Sequence, residues 1–110
     1  MIREIHVTKL AQELADNNLT TQTATIYDVR DPEAYQAGHI EGAVNQPVND
    51  GVNKDLLDAS EGTIYVLCGG GSKAPRFANL LNELDSSRDI VVLTGGTRGA
   101  KSAGMLIIEE

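Results

Sequence analysis

This sequence is short of several things a chain uses to build sites. It contains one cysteine, Cys68, which excludes an internal disulfide framework and a cysteine-cluster zinc site. A lone free thiol suits a reducing compartment. The two histidines, His6 and His39, stand far apart and lack metal-ligand spacing, so no metal site is expected. Tryptophan is absent. Basic residues are few: nine Lys and Arg against sixteen Asp and Glu, a formal net charge of −7, with no basic run. That balance argues against a nucleic-acid partner. No run of about 18 apolar residues occurs, so no membrane span is expected. The opening Met1 to Val7 lacks the apolar core and small-residue cleavage site of a signal peptide. The expected location is therefore cytoplasmic. Repeats, low-complexity tracts and internal linkers are also lacking.

What is present reads as one globular domain over residues 1–110, with 41% hydrophobic residues to form a core. Ile2, Ile5 and Val7 suggest a first strand, and Thr8 suggests the cap of a helix over Lys9–Asn17. Ala24 to Val29, rich in β-branched residues and tyrosine, predicts a strand. Asp31-Pro32-Glu33 has the form of a helix start, with an Asp cap and Pro at the first position. Gly38 ends that helix, and 38–42 reads as a bend. Ala43 to Gln46 predicts a brief strand, Asn53 the cap of a small helix, and Thr63 to Leu67 a strand. A helix follows to about Leu84. Ile90-Val91-Val92-Leu93 is wholly apolar, as expected of a central parallel strand buried on both faces. Gly95-Gly96 turns into a last short helix, and the apolar tail Met105 to Ile108 is left open as strand or loose packing. Alternating strands and helices give an α/β fold with a central, mostly parallel sheet flanked by helices on both faces.

The stretch from Tyr65 to Arg76 concentrates the chemistry. An apolar strand ends in Cys68; Gly69, Gly70 and Gly71 follow; Ser72 and Lys73 lead into a helix whose Ala74, Phe77, Ala78, Leu81 and Leu84 share a face. Glycines allow a tight loop with inward amides, and a helix start adds unpaired N–H groups and positive potential. Lys73 and Arg76 add full charges, although cations at a helix start oppose its dipole. All of this favours a thiolate at Cys68. In such sheets ligands bind beyond the carboxyl ends of strands, where Cys68 and Gly95-Gly96 fall together. Lys73, Arg76, Arg98 and Lys101 flank these two loops. An acidic body with a basic mouth suits a small anion.

Three segments together resemble the rhodanese-like domains. Asp28 to Asn45 resembles the motif D-x-R-x-x-x-E-F/Y-x-x-G-H-I-x-G-A, with Glu33 one position early and Tyr35 as the aromatic. The Cys68 loop resembles C-x-x-G-x-R, with Gly71 as its glycine and Lys73 where arginine is common. Gly95-Gly96 and Ala103-Gly104 resemble a closing G-G…W…A-G segment, with Ala100 where tryptophan is frequent. These segments span nearly the whole chain in the expected order.

The resemblance implies a single-domain sulfurtransferase that moves a sulfane sulfur from thiosulfate or a persulfide donor, through a Cys68 persulfide, to a thiophilic acceptor. Cyanide, a small thiol or a protein thiol would serve as acceptor, and no metal or organic cofactor is implied. Gly69, Gly70, Gly71, Ser72 and Lys73 would form the anion-binding loop. Asp28 and Arg30 read first as an ion pair fixing a bend, and otherwise as supports of the site wall. Arg98 reads either as reaching the substrate mouth or as a solvated side chain. His39 reads as bonding its own turn rather than as a general base. Lys73 keeps the charge of arginine but not its fork. Two alternatives belong to the same fold: a non-catalytic or sulfur-relay docking module, and a phosphatase or arsenate reductase. The latter carry C-x5-R, whereas the sixth residue after Cys68 is Ala74.

Overall fold

The computed structural model describes residues 2–60, 62–67 and 73–109. Its strands are β1 Ile2–His6, β2 Thr25–Asp28, β3 His39–Ile40, β4 Val44–Asn45, β5 Ile64–Leu67, β6 Ile90–Thr94 and β7 Ile107–Ile108. Its helices are α1 Leu10–Asp16, α2 Pro32–Ala37, α3 Lys54–Asp58, α4 Lys73–Leu84 and α5 Gly96–Ser102. The main sheet has the order β1-β6-β5-β2-β4, and every pairing in it is parallel.

Alternation along the central strands divides the core in two. Tyr27, Ile64, Val66, Ile90 and Val92 point to one face and meet Phe77, Ala78 and Leu81 of α4 and Leu57 of α3. Ile26, Tyr65, Leu67, Val91 and Leu93 point to the other and meet Leu10 and Leu14 of α1 and Ala100 of α5. All four residues of β5 are buried, as are Ile90 to Leu93, so these strands are apolar throughout because helices cover both their faces. Phe77 is fully buried and meets Tyr27 edge-on, with ring centroids 6.0 Å apart. This is the expected α/β architecture.

Several local expectations need correction. The first helix does not start at a Thr8 cap. Val7–Lys9 form a 3-10 turn, with His6 Nδ1 accepting from the Thr8 amide, and α1 begins only at Leu10. Val7 is thereby fully buried rather than part of β1. Asp31 occupies the cap position of α2, but its side chain makes no capping hydrogen bond. The 38–42 bend contains β3, which pairs antiparallel with β7, so the apolar tail ends in a two-residue strand. Asn53 caps α3 as expected, its side chain accepting from the Leu56 amide.

Candidate active site

The register aligns Asp28, Leu67, Leu93 and Ile5 as one rung near the carboxyl ends of β2, β5, β6 and β1. From that rung neighbouring strands diverge. The chain leaves β2 through α2 towards the β4 edge, and leaves β5 through α4 towards β6. This divergence between β2 and β5 is a topological switch point, where α/β sheets bind ligands. β5 ends beside it at Leu67, and α4 begins at Lys73. Cys68, Gly69, Gly70, Gly71 and Ser72 themselves lie outside the described residues.

On the β2 side, the Asp28 side chain is fully buried. A buried carboxylate requires pairing and hydrogen bonds. Arg30 Nε donates to Asp28 Oδ1 at 2.9 Å, and Arg30 Nη2 donates to Oδ2 at 2.7 Å. The Arg30 amide donates to Oδ1 at 3.1 Å. Nη2 also donates to the Gly38 carbonyl at 2.7 Å, which ties the start of α2 to its end. Asn45 Nδ2 donates to the carbonyls of Asp28 and Arg30, so β4 braces the same turn. Asn45 was not singled out from the sequence. A carboxamide ending so short a strand was the available signal.

Lys73 opens α4, and its Nζ lies 3.7 Å from Asp31 Oδ1. The pair links the segment after β2 to the segment after β5. Both side chains are well exposed, so the contact is worth at most about 1 kcal/mol. Asp31 thus turns towards a cation on another element instead of capping its own helix. Arg76 is exposed one turn further along α4.

Beyond β6, Gly95 has φ of +90°, and a Cβ there would lie 2.5 Å from His6 Nε2. Glycine lets this turn both adopt the left-handed conformation and sit against the end of β1. The turn launches α5, where Arg98 is exposed. Arg98 and Lys101 line an open groove of about 290 Å³ between α2 and α5, together with Arg30, Thr97 and Glu109. The Thr97 hydroxyl is buried and has no partner among the described residues. His39 is a structural residue: its Nδ1 donates to the Tyr35 carbonyl at 2.8 Å, and its ring stacks on Tyr35 at 3.7 Å. Among the described residues no cluster of three His, Cys, Asp or Glu could hold a metal ion. No helix among them is long and apolar enough to cross a membrane.

The family model of the rhodanese-like domain matches residues 7–103. The chain belongs to this family. A curated relative, the thiosulfate sulfurtransferase GlpE of Pseudomonas entomophila, is 38% identical over 68 residues, which cover 59% of this chain and 61% of that protein. A crystal structure of a rhodanese-like domain from Anabaena sp. is 32% identical, covering 79% of this chain and 94% of that one, with a TM-score of 0.67. A solution structure of a rhodanese-like domain from the same source covers 97% of this chain and 79% of that one, at 28% identity and a TM-score of 0.77. A structure of rhodanese with anions from E. coli is 25% identical, covering 79% of this chain and 99% of that one, with a TM-score of 0.63.

Proposed function

We propose that this chain is a sulfurtransferase in which the Cys68 thiolate carries the sulfur. The thiolate attacks the sulfane sulfur of thiosulfate. A new S–S bond forms at Cys68, the old one breaks, and its electron pair leaves with sulfite. The persulfide then meets a nucleophilic acceptor. With cyanide, the terminal sulfur departs as thiocyanate and its bonding pair returns to the Cys68 thiolate. This balance needs no metal or redox cofactor.

One observation carries the reading. The central strand β5 ends at Leu67 beside the switch point between β2 and β5, α4 begins at Lys73, and Cys68 is the residue that follows the strand end in sequence. A thiolate is the nucleophile in such exchange, and amides at a helix start stabilise anionic sulfur. Lys73, at the start of α4, contributes positive charge for an anionic donor, while Asp28, Arg30 and Asn45 hold the adjoining turn rigid. The membership of the family and the likeness to a thiosulfate sulfurtransferase support the same chemistry.

The test is thiocyanate formation from thiosulfate and cyanide by the purified chain. Cys68→Ser is expected to abolish turnover while the thermal midpoint stays within a few degrees of the parent. Turnover by the serine variant at the parent rate would refute the assignment.

A further inference from the structure

The α2–α5 groove gathers donors that have no partner among the described residues. Arg98 and Lys101 make no ion pair among the described residues, although the chain is strongly acidic. Arg30 commits Nε and Nη2 to Asp28 and Gly38, and its Nη1 makes no hydrogen bond among the described residues. Thr97 brings a buried hydroxyl without a partner among the described residues, a state that costs free energy unless a further group relieves it. Against these stands one acid in the lining, Glu109. Asp28 balances Arg30, so the uncommitted charge is two cations less one carboxylate, or +1. That suits one monoanionic group better than a phosphate dianion. Arg30 follows β2 while Thr97 and Arg98 follow β6, so the groove is lined from both sides of β5, the strand that Cys68 follows.

We infer that this groove is a subsite for a carboxylate on a small sulfur acceptor, held by Arg98, Lys101, the Thr97 hydroxyl and Arg30 Nη1. The acceptor assignment rests on the sulfur-transfer reading above; binding of a carboxylate in the groove does not. In the transfer step the acceptor thiolate attacks the terminal sulfur of the persulfide. The Cys68 S–S bond breaks, its electron pair returns to Cys68, and the acceptor leaves as a persulfide anion. The carboxylate takes no part beyond orienting the thiol. Guanidinium and hydroxyl donors suit a planar carboxylate.

The binding test is an amide NMR titration of the whole chain with propionate at constant ionic strength. Saturable shifts are expected at Arg30, Thr97, Arg98 and Lys101. Arg98→Gln with Lys101→Gln should weaken that binding at least about tenfold, since each charge-assisted hydrogen bond removed is worth that much. Thr97→Val should weaken it while keeping or raising the thermal midpoint, because a buried hydroxyl unpaired among the described residues is gone. Shifts linear in propionate, or unchanged in the double variant, would overturn the subsite. The kinetic test compares 3-mercaptopropionate with 2-mercaptoethanol as acceptors. A lower KM for the charged thiol, with the ratio falling towards one in the double variant, is expected. Equal KM values in the parent would overturn the acceptor assignment. Failure of the parent to form any persulfide would appear before an acceptor is added, and would count against the sulfur-transfer reading alone.

Discussion

Asp28 shows how much of the site depends on one buried charge. Its carboxylate is held by two side-chain nitrogens of Arg30 and by the Arg30 amide, and its own carbonyl accepts from Asn45. Removing the carboxylate leaves the guanidinium with the Gly38 carbonyl as its partner among the described residues and weakens the turn after β2. Asp28→Ala should therefore destabilise the fold by about 3–5 kcal/mol, read from urea denaturation. A change within 1 kcal/mol would show that solvent already screens the pair. The ion pair was legible because Asp and Arg two residues apart flank a strand end. The part that Asp31 plays was not. Its place ahead of Pro32 favours capping, and only the folded chain brings Lys73 within reach of it.

Among the elements, those specified by their own residues were the easiest to read. β5 and β6 are continuous apolar runs with helices on both sides, and α4 repeats its apolar residues at helical spacing. β3 and β7 have two residues each and exist only by pairing His39 with Ile108 and Ile40 with Ile107, so neither segment signals a strand alone. The α2–α5 groove was illegible for the same reason: its walls come from two distant segments, residues 30–38 and 97–109. The tight turn between β3 and β4 makes a sharp prediction. Gly42 has φ of +90°, and a Cβ there would fall 2.1 Å from the Thr21 carbonyl oxygen. Gly42→Ala combines left-handed strain with a backbone clash and should cost about 3 kcal/mol or more in chemical denaturation. A loss below 1 kcal/mol would mean that the Thr20–Thr23 turn yields easily.

At the scale of the whole molecule, one polar network ties the sheet edge to its centre and to α1. Arg3 on β1 binds Glu13 on α1 at 2.6 Å and Asp89 at 3.2 Å, and the buried Tyr65 phenol donates to Glu13 at 3.0 Å. The Arg3 hydrogen bond holds the Glu13 carboxyl below its ordinary value, against the opposing effect of burial. Because the folded value is depressed, the contribution of Glu13 is complete above the unfolded value of roughly 4.3 and is lost as pH falls through the folded value. Denaturation curves between pH 6 and 3 should show Glu13→Gln less stable than the parent at pH 6, with the gap narrowing towards pH 3. A gap constant with pH would contradict the network. Burial, reinforced by the Glu13 hydrogen bond, raises the Tyr65 phenol. Its contribution is therefore complete below about pH 10 and declines as pH rises further. This network lies two residues from the Asp28–Leu67–Leu93 rung, towards the amino ends of the strands and away from the loop at which sulfur transfer is proposed. The most direct test of that transfer is intact mass spectrometry of the chain after exposure to thiosulfate. A gain of about 32 Da, one sulfur atom, should localise to Cys68 and disappear on adding cyanide. An unchanged mass, or a gain localised to any other residue, would contradict the account.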